Sequence, residues 1–112
     1  MIGGSALSGI QRIHAGCWVD WDRKGVWRHH MFHPMPYRTW RILRYLLEHA
    51  NQVIPQAELF AAGWGEPRSR WDLQDHIHRI RMVIEPHPHH PRWLVNRRNS
   101  GYELRVEISK HA

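Results

Sequence analysis

An internal disulfide is excluded at once, because Cys17 is the only cysteine among 112 residues. Its hydrophobic neighbours make it a buried thiol rather than a reactive one, and a reducing, cytoplasmic setting follows. No apolar run approaches the ~20 residues of a transmembrane helix, so no membrane partner is expected. Residues 1–9 are rich in Gly, Ser and Ala but lack the basic start and apolar core of a signal peptide. No internal repeat is visible. The ten acids are scattered, with no paired-carboxylate spacing, no Ser-His-Asp set and no phosphate-cradling glycine loop. Neither catalysis nor a cofactor is expected.

What is present is basic and foldable. Sixteen Lys and Arg give a formal net charge of +6, while 42% hydrophobic residues and seven Trp offset a mean hydropathy of -0.63. This length suits one domain whose core closes without metal. Eight of the sixteen cations lie between Arg68 and Arg105 beside four acids, Asp72, Asp75, Glu85 and Glu103, leaving that third of the chain at +4. Such concentration suits a polyanionic partner.

Organisation follows from periodicity. Residues 1–11 read as a leader, 12–106 as the domain and 107–112 as a tail. Ile13 to Trp21 and Val26 to Phe32 flank a polar turn ending in Gly25 and predict an antiparallel hairpin or small meander. Pro34 and Pro36 stop it. Trp40, Leu43, Leu47 and Ala50, widened by Ile42 and Leu46, predict a core-facing helix from Tyr37 to Ala50. Val53-Ile54 leads into a second helix, with Pro55 near its start, Glu58 in its first turn and Gly63 and Gly65 closing it around Trp64. A polar loop, Glu66 to Arg70, connects to a third helix spanning Trp71 to Glu85, for which Asp72 is the expected N-cap.

That third helix is the most informative segment. Leu73, Ile77, Ile80 and Ile84 share one stripe at helical spacing and turn His78, Arg79 and Met82 outward. After His87-Pro88-His89-His90-Pro91, a loop by its prolines, two β-prone runs flank Asn99-Ser100-Gly101 and carry Arg97 and Arg98 at the turn. A helix able to enter a major groove, followed by an arginine-tipped hairpin, points to DNA. Arginine rather than lysine dominates, which suits bidentate contact with guanine or phosphate.

His76-Ile77-His78-Arg79-Ile80-Arg81-Met82-Val83-Ile84-Glu85-Pro86 and Arg98-Asn99-Ser100-Gly101-Tyr102, with Arg41-Ile42-Leu43, Leu46-Leu47, Glu58-Leu59 and Trp64-Gly65 in the same order, resemble the OmpR/PhoB-type effector domain of bacterial response regulators. The resemblance spans roughly Ile13 to Arg105. It implies an α+β winged helix-turn-helix: an N-terminal antiparallel platform, three helices and a C-terminal β-hairpin wing. The third helix would then be the recognition helix of a sequence-specific transcription regulator. Gln74, Asp75, His78, Arg79 and Arg81 would face duplex DNA, while Arg97, Arg98 and Asn99 would form a wing whose Arg98 reaches a minor groove. Arg68 and Arg70, before that helix, would meet either RNA polymerase or the DNA backbone, and Trp71 would cover the loop or meet the backbone. A homodimer on repeated half-sites is expected, with the Trp-rich sheet as a candidate dimer surface.

Three departures stand out: Asp75 replaces a small apolar residue, Asn99 a common glycine, and Thr39 a position often acidic. No receiver segment precedes the platform, so phosphorylation input is not implied. Two readings from other classes remain: a winged-helix module docking on an acidic protein, and a histidine-metal nuclease built on His29-His30-Met31-Phe32-His33 or His87 to His90. Neither histidine run has the ligand spacing of a known zinc site, so no bound metal is expected.

Overall fold

The computed structural model describes residues 9–107. The expectations for a leader over residues 1–8 and a tail over 108–112 lie outside the described residues. Four short strands come first: β1 (Ile10–His14), β2 (Cys17–Asp20), β3 (Gly25–Arg28) and β4 (Met31–Pro34). They form an antiparallel sheet in sequential order. Each of the two expected strands is thus a pair. Gly16 at φ 79° turns the first, and His29 and His30, at φ 50° and 67°, turn the second, the left-handed pair a two-residue hairpin requires. A residue with a Cβ is rare in that region, so the pattern alone concealed this turn. β1 begins at Ile10, inside the stretch expected to be leader.

Helix α1 (Tyr37–Glu48) follows, with Pro36 at its N-cap and Trp40, Ile42, Leu43, Leu46 and Leu47 buried. Trp21, in the turn after β2, meets Trp40 edge-on at 5.7 Å, which seats the platform against the helices. The chain then enters β5 (Val53–Ile54), α2 (Gln56–Trp64), α3 (Arg70–Ile84), β6 (Leu94–Arg97) and β7 (Gly101–Leu104). Gly65 ends α2 in the left-handed conformation at φ 77°, as helix termini favour. Ser69, not Asp72, caps α3: its side chain accepts from the Trp71 N–H, while Asp72 lies in the first turn. There the carboxylate meets the positive end of the helix dipole.

Val53 and Ile54 pair with Glu103 and Tyr102, so the hairpin is one part of a three-stranded sheet ordered β5-β7-β6. A two-stranded hairpin alone is marginal in water, and this third strand anchors it. Gly101 makes the pairing possible. At φ 135° it sits in a region side chains rarely adopt, and a Cβ there would collide with the backbone carbonyl of Ile54. Gly101→Ala is therefore expected to cost about 2–4 kcal/mol, read as a lowered urea midpoint. An unchanged midpoint would remove β5 from the anchoring role.

Candidate nucleic-acid interface

α3 divides cleanly into two faces. Leu73, Ile77, Ile80 and Ile84 are buried, whereas Trp71, Gln74, Asp75, His78, Arg79 and Met82 are all exposed. Those six positions follow helical spacing and form one outward stripe. Met82 belongs with it although its apolar side chain gave no reason to include it among the contact residues. Among the described residues, Arg79, His78, Gln74 and Asp75 are in no side-chain hydrogen bond or ion pair.

Arg81 faces elsewhere. It is half-buried, its Nε donates to the Leu94 carbonyl at 2.9 Å, and its guanidinium lies 5.9 Å from the Tyr102 ring centre. Burial lowers its pKa from the usual arginine value, with Tyr102 and Glu85 acting in the opposite direction. Arg81, for which the resemblance implied a contact role, thus has its Nε committed to the protein's own hairpin.

The loop before α3 is held by cations on aromatic faces. Arg38 and Arg68 approach Trp64 at 5.3 and 5.8 Å, and Arg70 covers Trp71 at 5.0 Å. Arg68 also pairs with Asp72 and Glu66. Trp71, 66% exposed, stands out into solvent with Arg70 on it rather than covering the loop.

At the wing, Arg97 is tied to Glu103 at 2.7 Å. Arg98 is exposed, and Asn99 adopts φ 64°, a conformation asparagine tolerates better than most side chains. The Ser100 N–H closes the turn on the Arg97 carbonyl. The glycine replacement therefore preserves the turn and leaves Arg98 at its tip.

What holds wing to helix escaped the sequence reading. Glu85, directly after α3 and buried, accepts from the Arg92 N–H at 2.8 Å, the Trp93 N–H at 2.9 Å and the Leu94 N–H at 2.6 Å. His14 reinforces the joint. Its Nε2 lies 2.7 Å from the Ile84 carbonyl, and its ring stacks on Trp93 at 4.6 Å. The signal available in advance was an acid in the Glu85-Pro86 pair ending an apolar stripe.

Thr39, the position often acidic in the resembled family, is fully buried and bonds the His76 Nδ1 at 2.8 Å. His76 also meets Trp64 edge-on at 5.4 Å. Desolvation, then the Arg79 charge, lower its pKa from the ordinary histidine value of 6.5. Burial pushes the Cys17 thiol up to about 12, consistent with an inert packing residue. Among the described residues, no three His, Cys, Asp or Glu side chains gather as a metal-binding group, and no helix is long and apolar enough to cross a membrane.

A three-helix core with a capped outward helix, a docked hairpin wing and a strand platform defines the winged helix-turn-helix class of DNA-binding transcription regulators. The chain belongs to the family described as "Transcriptional regulatory protein, C terminal", whose model matches residues 34–104. It is similar to the response regulator DrrB, a Thermotoga maritima OmpR/PhoB homolog, at 26% identity and TM-score 0.76, covering 87% of this chain and 44% of that one. The chain thus spans under half the length of that regulator. The DNA-binding domain of CpxR from E. coli shares the fold at 17% identity and TM-score 0.70, over 88% of this chain and 98% of that one. So does the Klebsiella pneumoniae RstA DNA-binding domain in complex with the RstA box, at 17% identity and TM-score 0.72, over 86% and 96%.

Two outcomes follow. Glu85→Ala strands three backbone donors and is expected to cost ~3 kcal/mol, with faster hydrogen exchange at Trp93 and Leu94; exchange unchanged there would refute the joint. For His76, the native state disfavours the proton that the unfolded chain accepts near pH 6.5. Its contribution to stability is thus present above that pH and lost as pH falls toward the lower folded value. His76→Gln should flatten that part of the stability profile, and a wild-type slope in the variant would exclude His76 as its source.

Proposed function

We propose that this protein is a sequence-specific regulator that binds duplex DNA with the outward stripe of α3 in the major groove and Arg98 of the wing in the adjacent minor groove. The observation that carries this is the combination of Arg79 on α3 and Arg98 at the tip of a wing docked against that same helix, both exposed and both without a side-chain partner among the described residues. Arg79 and Gln74 suit purine edges, Asp75 suits a cytosine amine, and Met82 adds apolar contact. Narrow A-tract minor grooves attract a guanidinium such as that of Arg98. Arg81 becomes a positioning residue that aims the wing, and Arg97 and Asn99 shape its tip.

Trp71 and Arg70, stacked at the start of α3, approach the DNA backbone. Arg68, already paired with Glu66 of the loop and Asp72 of α3, lies on the surface offered to RNA polymerase. One small module buries only ~600–1,000 Å² on DNA, so two copies on repeated half-sites supply the specificity that one lacks.

Arg79→Ala and Arg98→Ala are each expected to weaken a selected duplex by ~1–3 kcal/mol, measured by fluorescence anisotropy. Affinity should fall linearly with salt on a log-log plot. Unchanged affinity in both variants would overturn the pose. A flat enrichment from random duplexes, with salt-insensitive capture of an acidic protein, would favour a protein-docking module instead.

A further inference from the structure

The outer face of the N-terminal sheet carries a row that the DNA-facing surface leaves unused. Cross-strand register aligns Arg12, Trp18, Trp27 and Phe32 over β1 to β4. Val19 and Val26 are buried on the other side, so alternation turns this row outward. Trp18 is 40% exposed, and Ile10 is more exposed still. Together they form a groove of about 410 Å³, walled by Trp18 and Trp27, with Ile10, Gly16, His29 and His30 completing its lining. That volume falls in the ~300–1,000 Å³ range of small-molecule sites. The Trp27 ring is fixed by its Nε1–H donating to Asp20 at 3.0 Å, and indole faces favour a planar aromatic guest.

The polar lining is selective in sign. Arg28 Nη1 lies 2.9 Å from His29 Nε2. A guanidinium only donates, so Nε2 accepts and the ring proton resides on Nδ1. That Nδ1 lies beside Gly16, 3.4 Å from where a Cβ on Gly16 would sit, at the rim of the groove. A neighbouring guanidinium polarises the resulting donor, and among the described residues no carboxylate lines the groove. The acids nearby are engaged: Asp20 with Trp27 and the Arg23 N–H, Glu107 with Arg12 at 2.8 Å. Arg12, its charge offset by Glu107, lies with its guanidinium 5.9 Å from the Trp18 ring centre, so the His29 donor carries the preference for an anion.

We propose that this groove binds a small planar aromatic anion, its ring against Trp18 and Trp27 and its carboxylate toward the His29 Nδ1–H. The site is independent of the α3 and wing surface, so it stands or falls apart from the DNA pose.

The test is an NMR titration of ¹⁵N-labelled protein with indole-3-carboxylate and with its neutral counterpart, indole-3-carboxamide. Saturable shifts are expected at the Trp18 and Trp27 indole N–H and the Gly16 amide, with the carboxamide binding about tenfold more weakly. Trp18→Ala should abolish binding of both probes while amide resonances of α1 and α3 keep their positions, showing the variant folded. His29→Ala should bind the two probes equally. No saturable shift, equal affinity for both probes in the unaltered protein, or binding retained in Trp18→Ala would overturn the proposal. So would shifts at these positions that follow protein concentration without any probe, since a second copy would then occupy the face.

Discussion

A buried carboxylate fixes the geometry on which the rest depends. Glu85 collects three consecutive backbone N–H groups at the entry to the wing. A buried charge is tolerated only when hydrogen bonds replace its lost hydration, so the chain from Arg92 to Leu94 must pass this point. The helix before Glu85 and the hairpin after Leu94 are therefore aimed from one pivot. Arg81, bonded to the Leu94 carbonyl, adds a second tie one helical turn earlier. His14 brings the platform into the same joint through Ile84 and Trp93. Helix, wing and platform meet within a few residues.

This economy divides the arginines by task. Arg38 and Arg41 donate to the Gly63 and Ala62 carbonyls, covering the negative end of α2. Arg81 and Arg97 are bound into the wing, and Arg68 into the α2–α3 loop. What stays unengaged on this side of the chain includes Arg79 and Arg98, one on each projecting element. The cations between Arg68 and Arg105 make this a basic stretch, but the number free for a partner is smaller than the charge suggests. Pairing of exposed ions contributes little to stability; its larger effect here is to hold side chains in defined directions.

How much could be read in advance depended on how local each cause was. The buried stripe of α3 and its outward complement follow from helical spacing alone, and both were legible. So was the Asn99 turn, since its conformational demand lies within the residue. The four-strand platform was half legible: its strands showed in composition, but the His29-His30 turn looked like a candidate metal cluster. The bulge between Arg12 and His14 broke the alternation that would have placed the next side chains, and it turns both Ile13 and His14 inward. Strand β5 escaped because two residues are too few for a periodic signal, and its partner lies some fifty positions away. Glu85 and Arg81 escaped for a related reason. Whether a charged side chain faces water or a distant backbone is decided by tertiary packing, which residue order alone does not display.

The three-stranded sheet that anchors the wing also separates what must stay from what is free to drift. Gly101 is pinned by the neighbouring Ile54 backbone and Tyr102 by the core, whereas Arg98, Asn99 and Ser100 are exposed. Asn99 needs only a residue at ease with positive φ, and Arg98 needs nothing from the fold at all. Substitution can thus exchange the side chain that projects from the tip without disturbing the scaffold beneath it, so the chemistry offered at the tip and the stability of the fold are free to change separately.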